Sequence, residues 1–404
     1  MKKRFERLMT VVLISAVIFT GCKARSGMTD TQFSDAGDNA IGTLSEGATD
    51  PSLTSSSDSE NGEKSTPSSR SRNILESGKT TSTPTPDEKP KVENNKTNTD
   101  GHHTFNPHIF SKYYLSDFGE KKRDAFFSFC DALIAGADSF VCPDEETYYW
   151  CLGSLSSAFF PVAYGYIDSA SSEVQNGFEN GVGKIFYKIP VKEFLMKETE
   201  FEAQIVSILN DCISDDYTDL EKVMALYEYM CSNYTYDYDM NEQCGERADE
   251  LSAYRCLIEK KGICCEIASL YNYLLLQAGV DSDEIGGAAI SDNVLEGHSW
   301  VLVTIDGQHY HVDPTWGMDE GKTRLHYFLM TDEARVDRDQ FDFDSMNIGG
   351  KADESRKTYD FTCTDERYKD LWEGEYYYIG MNREEHLIVY ENEDKEEQTF
   401  YYGS

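Results

Sequence analysis

"GHSWVLVTIDGQHYHVDPTW", residues 297–316, reads as two β-rich runs on either side of Asp306-Gly307. That dipeptide favours a two-residue type I′ turn, whose two central positions both need positive φ. The turn then sets the register. If Ile305 faces Gln308, Val303 faces Tyr310 and Trp300 faces Asp313. His298, two residues before Trp300, shares a sheet face with Asp313 and lies diagonal to it. Diagonal neighbours sit roughly 7–8 Å apart at the backbone, within reach of an imidazole and a carboxylate. An Asp beside a His fixes its tautomer and stabilises the imidazolium. Taken singly, the two have plainer readings, a satisfied core histidine and a turn residue before proline.

Upstream, "KKGICCEIASLYNYLLLQAG", residues 260–279, predicts a helix. Gly262 breaks the preceding helical run "ADELSAYRCLIEKK". A new apolar face follows through Ile267, Leu270, Tyr271, Leu274 and Ala278, and Gly279 ends it. Cys264 falls at the helix start, where unpaired amides and the helix dipole favour a thiolate. Cys265 points elsewhere around the helix. A packing cysteine needs no such position, whereas a nucleophile does, and a His and an Asp brought together by one hairpin complete the constellation. His309 and His311 on the second strand, and His326 beyond it, read as surface or supporting residues. A two-His pair there has no third metal ligand in the sequence pattern, so no metal site is expected.

These residues also carry a resemblance. "GICCEIA" resembles the G-V-C-x-x-Y/F-A nucleophile motif, "GHSW" the H-A-W motif and "YHVDPTW" the W-x-H-V-D-x-T-W motif of the transglutaminase-like superfamily, in its bacterial extracytoplasmic branch. "HYFLMTDEAR", residues 326–335, is similar to the YFLxSDEE run that follows that core. The resemblance covers about Thr218 to Arg335. It departs from the pattern at Cys265, Glu266, Ile267 and Ser299. It implies an α+β fold with a papain-like core, in which a helix bearing the cysteine packs on an antiparallel sheet bearing the histidine and aspartate. It further implies Cys264 as nucleophile, His298 as general base and acid, and Asp313 as the group that orients His298. "CSNYTYDYD" resembles the tyrosine-containing approach to the core. Tyr236 is there a candidate oxyanion donor, or an aromatic packed beneath the site. The implied chemistry is acyl transfer through a thioester, leaning towards a protease or amidase on envelope protein or peptide, with transamidation to an amine as the other outcome. The alternative is a noncatalytic binding or scaffold module. No cofactor is implied. There is no EF-hand loop, and an acidic run such as "DDYTDLE" would bind Ca²⁺ only weakly.

The rest of the chain sets the context. Acidic residues number 73 against 37 basic, a net charge of −36, which argues against a nucleic-acid partner and suits a soluble surface. Lys2, Lys3, Arg4 and Arg7 precede the apolar run "LMTVVLISAVIF", right for a signal-peptide core and short for a permanent span. It ends in "FTGC", similar to a bacterial lipobox with Phe19 in place of the usual Leu. That resemblance makes Cys22 the lipidated first residue of an extracytoplasmic, membrane-anchored protein; an ordinary secreted protein would discard it. With 11 irregularly spaced cysteines, a disulfide framework is not expected.

The predicted organisation is a leader and lipobox over 1–22 and a Ser/Thr-rich tether over 23–104, too polar to offset its chain entropy. A mixed, mainly helical region follows over 105–215, then the core over 216–336 and a β-rich segment over 337–404. "RDAFFSFCDALIAGA" has helical spacing, and "GKIFYKIPV" alternates like a strand. Capping-box patterns predict helix starts at Thr199 with Glu202 and at Thr218 with Glu221. Tyr376, Tyr377 and Tyr378 read as core residues on alternating faces; an exposed aromatic groove there would instead suit a structural wall protein. No pattern fixes an oligomeric state.

Overall fold

A computed structural model describes residues 102–291, 294–339, 341–348 and 359–403. The expected leader, Cys22 and the tether as far as residue 101 lie outside the described residues. At the end of that stretch the amide of His103 donates to Asn210 Oδ1 at 2.8 Å. Helix α1 (Lys112–Ile134) is capped by Ser111, whose side chain accepts from the Tyr114 amide. It buries Phe126, Phe127, Phe129, Cys130 and Leu133, the apolar positions expected of that stretch. Three short antiparallel strands follow, β1 (Ser139–Val141), β2 (Phe178–Glu179) and β3 (Val182–Lys184), in the order β1-β3-β2. "GKIFYKIPV" therefore forms far less strand than its alternation suggests. Its partner β1 begins at Ser139, so the ladder stops at Lys184 and only an isolated bridge from Ile167 to Tyr187 follows.

Helix α2 (Val191–Cys212) corrects the start predicted at Thr199. The helix begins after Pro190, and Thr199 lies inside it, its hydroxyl donating back to the Leu195 carbonyl at 2.8 Å. A hydroxyl can satisfy itself against the preceding turn, so the capping pattern inside a helical run marks no boundary. The second start is as expected. Thr218 caps α3 (Asp219–Asn233) with Glu221 in a reciprocal capping box, and Leu220, Val223, Met224 and Tyr227 are buried.

Strand β4 (Thr235–Tyr236), helix α4 (Ala253–Glu259) and strand β5 (Lys261–Gly262) lead into α5 (Cys264–Gln277). Lys260, in the left-handed region at φ 56°, ends α4, so Gly262 is not the breaker it was expected to be. Gly262 instead pairs with Tyr236 in the two-stranded parallel ladder. The central sheet is antiparallel. Strands β6 (Ser282–Ser291), β7 (Val294–Ile305) and β8 (Gln308–Val312) are joined by β9 (Asn347–Ile348), in the order β9-β6-β7-β8. Helix α5 packs against β7 and β6.

Val301, Val303, Ile305, Tyr310 and Val312 enter the same apolar cluster as Leu270 and Leu274 of α5. Trp300, Leu302 and Ile285 enter a second cluster with Phe341, Met346, Ile348 and Phe361. Alternation along β7 thus buries both of its faces. Strands β10 (Tyr377–Asn382), β11 (Leu387–Glu391) and β12 (Glu397–Tyr401) form a three-stranded meander at the C-terminus. Tyr376 and Tyr378 pack on the main cluster, and the Tyr377 hydroxyl donates to Asp319 at 2.8 Å. The tyrosines accordingly form no exposed aromatic groove. The fold is α+β, with a helix on an antiparallel sheet, a mainly helical N-terminal region and a small β-rich end. Among the described residues no helix is long and apolar enough to cross a membrane.

Candidate active site

The hairpin has the register its turn predicts. Asp306 and Gly307 take φ 53° and 77°, and Ile305 pairs with Gln308, Val303 with Tyr310 and Val301 with Val312. The ladder ends one residue before Asp313, which becomes the cap of a short helix, α6 (Pro314–Gly317). Asp313 Oδ1 accepts from the Trp316 amide at 3.2 Å, which fixes the carboxylate. Its other oxygen, Oδ2, meets His298 Nε2 at 2.7 Å. The diagonal pair is therefore in direct contact.

The His298 ring is held on its faces as well as its edge. Trp316 stacks on it at 4.4 Å between centroids and 14° between planes, and Trp300 lies at 6.0 Å. Gly287 pairs with His298 across the sheet, and a Cβ at Gly287 would come within 2.5 Å of the Trp300 ring, so only glycine leaves room for it. With Nε2 taken by Asp313, Nδ1 is the nitrogen left for proton transfer to and from a substrate or thiol. Asp313, 1% exposed, has a third partner, the guanidinium of Arg335 on α7 (Asp332–Asp339), which meets the same Oδ2 at 2.5 Å. Burial works against ionisation of Asp313. His298 and Arg335 overcome it and hold the carboxyl at about 2.

Cys264 is the first residue of α5, as expected, and is 4% exposed. Its amide has no carbonyl four residues back within the helix, which leaves it a donor at the helix start. Among the described residues Cys264 makes no hydrogen bond to His298. Cys265 turns into a different apolar cluster with Met240, Cys244, Leu251 and Ile263. Tyr236 lies across from Gly262, two residues before Cys264, and its hydroxyl donates to Asn241 Oδ1 at 3.1 Å.

Two features went unread in the sequence. The first is Glu266, noted only as a departure from a motif. It is 1% exposed and accepts from the Ile263 amide (3.2 Å), the Ser252 amide (3.1 Å) and both Nε (2.8 Å) and Nη2 (2.5 Å) of Arg255. Arg255 also reaches Asp237 at 3.0 Å, whose amide bonds the Gly262 carbonyl. The first turn of α5 is thus tied to the chain that leads into it. The second is the set of partners around His311, which is fully buried and so takes the supporting one of its two expected places. Its Nδ1 accepts from Trp300 Nε1 at 2.9 Å, and its Nε2 meets Asp332 at 2.8 Å. His311, Asp332 and Cys363 place their ligand atoms within 4.8 Å of one another. The Trp300 donor fixes the lone pair of a neutral His311 on Nδ1, so Nε2 carries its proton towards Asp332 and has no lone pair for a metal. The cluster acts as a brace for Trp300. No local pattern announced either set of contacts: Arg255 lies 11 residues before Glu266, and Asp332 lies 21 residues after His311.

Residues 207–314 match the family model of the transglutaminase-like superfamily, a stretch that contains Cys264, His298 and Asp313. No curated protein matches the chain. Among solved structures, one described as a "putative cysteine protease" from Cytophaga hutchinsonii is 19% identical over 30% of this chain and 37% of its own, with a TM-score of 0.23. Another, described as a TGase, is 14% identical over 31% of this chain and 33% of its own, with a TM-score of 0.26. The chain spans about a third of the length of these structures. With the helix-on-sheet core and the family match together, the chain carries a transglutaminase-like domain over residues 207–314.

Proposed function

We propose that this protein is a thiol enzyme that breaks amide bonds of protein or peptide substrates through a Cys264 thioester, with His298 and Asp313 as its proton-transfer pair. The observation that carries the reading is the His298–Asp313 contact at 2.7 Å, which leaves Nδ1 for the reaction, on the sheet against which the Cys264 helix packs. The Cys264 thiolate attacks the amide carbonyl, and the amide at the helix start donates to the developing oxyanion. The C–N bond then breaks, the His298 imidazolium gives its proton to the leaving amine, and the acyl group stays on sulfur. In the second half, His298 takes a proton from water, the hydroxyl adds to the thioester carbonyl, and the C–S bond breaks to release acid and thiolate. A lysine amine in place of water would give transamidation. Hydrolysis is the outcome we favour, with envelope protein or peptide as substrate. The export-type leader and Cys22 support a position outside the cytoplasm, tethered by lipid.

The test is labelling by a thiol electrophile across pH, in wild type and in Cys264→Ala, Cys265→Ala and His298→Ala. Labelling that persists at mildly acidic pH and vanishes only with Cys264→Ala and His298→Ala supports the reading. A Cys264 no faster than an ordinary thiol, and indifferent to His298, would leave a noncatalytic binding module.

A further inference from the structure

Arg335 is wholly buried, 22 residues beyond the aspartate it touches. Its guanidinium carbon lies 4.8 Å from the Trp300 ring, 4.8 Å from Trp316 and 4.6 Å from Phe341, the same three aromatics that surround His298. Arg335 and His298 share one oxygen of Asp313, so their nitrogens are at most about 5 Å apart, a separation at which a fixed unit charge acts strongly on a titrating group. Burying a guanidinium is costly, and a pair that served packing alone could be replaced by apolar side chains. Here the cation is placed on the atom that orients the histidine.

We propose that Arg335 is a positioning residue of the reaction: it takes up part of the Asp313 charge, so that Asp313 fixes the His298 ring without locking it as imidazolium. This rests on the function proposed above. His298 must give a proton in one half-reaction and take one in the other, and an uncompensated buried aspartate would hold it in the charged form through both. Among the described residues Asp313 and, behind it, Arg335 are the charged groups bonded at the ring edge, and the Cys264 thiol is the titratable group that the proposed reaction brings to the ring. Trp316, Trp300 and Phe341 cover its faces. A further ionisable pair, His311 with Asp332, meets Trp300 at its indole N–H. Arg335 reaches Asp313 from the first turn of α7, whose Asp332 holds His311, so one helical turn supports both Trp300 and Asp313.

The experiment is an NMR titration of His298 in the full chain with ¹³C-labelled histidine, its signal among eight histidines assigned by His298→Gln. Arg335→Gln is expected to raise the His298 midpoint by about one to two pH units, the size of a nearby unit charge at an intermediate dielectric. Arg335→Lys, which keeps the charge, is expected to stay close to wild type. Asp313→Asn leaves Arg335 uncompensated and lowers the midpoint, and adding Arg335→Gln to it raises the midpoint again. That last pair leaves no buried carboxylate exposed to its own charge, and it decides alone if Arg335→Gln does not fold. The proposal is overturned if folded Arg335→Gln titrates as wild type, or if Asp313→Asn and the double variant titrate alike. A Cys264 silent to electrophiles would sink the proposed function and leave this titration readable, so the two failures are separable.

Discussion

Removing the Glu266 carboxylate strands four donors at once. In Glu266→Ala the amides of Ile263 and Ser252 and two nitrogens of Arg255 lose their acceptor inside a site where Glu266 is 1% exposed. Breaking one partner out of a buried ion pair costs about 3–5 kcal/mol. Arg255 keeps Asp237 at 3.0 Å and Glu259 at 2.9 Å, which places its share at the low end. The two orphaned amides add roughly 1 kcal/mol each, so the expected loss is about 5 kcal/mol. That is a large part of the 5–15 kcal/mol that usually separates a folded domain from its unfolded chain. Glu266→Gln keeps one acceptor and is expected to lose about half as much. Urea denaturation followed by circular dichroism measures both. A cycle with Arg255→Met tests the cause: because each single change leaves a buried charge alone, the double variant should fall short of the summed losses by about 2 kcal/mol. Folded Glu266→Gln should also label more slowly at Cys264, since the first turn of α5 is then less firmly set. A loss below about 1 kcal/mol in Glu266→Ala, or strict additivity in the cycle, would refute the view that this network holds the Cys264 turn in place.

Two pH predictions have opposite signs. Burial pushes Glu284 up to about 7, with hydroxyls of Ser269 and Ser299 pulling the other way. Because the folded state holds this proton more tightly than the unfolded chain, its stability is fully present below about pH 4.5 and falls as pH rises through 7. Glu284→Gln should therefore be more stable than wild type at pH 8 by about 2–3 kcal/mol, with the gap closing near pH 4 in thermal melts; an unchanged gap would show that Glu284 ionises freely in the fold. Asp313 behaves the other way, held at about 2 against the opposing effect of burial. Its contribution is present above about pH 4 and lost as pH falls towards 2, so Asp313→Asn should flatten the acid limb of the stability profile by about 2 kcal/mol, and an acid limb identical to wild type would count against the His298–Asp313–Arg335 cluster.

The hairpin was legible because a two-residue turn converts local chemistry into long-range geometry. Once Asp306-Gly307 closes, every cross-strand partner is set, and His298 and Asp313 must share a face. The capping box at Thr218 was legible for a similar reason, since its two hydrogen bonds close within four residues. The same logic failed at Thr199. A capping pattern states only that a helix can start there, and the residues from Val191 onwards were already able to form one. At the end of α4, Lys260 took a left-handed turn that its residue type does not announce.

What stayed hidden are the groups that act through a second contact. Arg335, Asp332 and His311 meet only because α7 docks on the face of β7 that carries Trp300, and that docking depends on an apolar cluster assembled from Ile285, Leu302, Phe341, Met346, Ile348 and Phe361. No local period encodes such an arrangement; residues as far apart as Ile285 and Phe361, 76 positions, must first find one another. Cys264, His298 and Asp313 can be picked out by spacing, whereas the ties of Glu266 with Arg255 at the start of α5 and of Arg335 at Asp313 cannot, so a chain with those three residues intact and either tie altered would fit the motifs equally well and, on the function proposed above, is expected to perform differently.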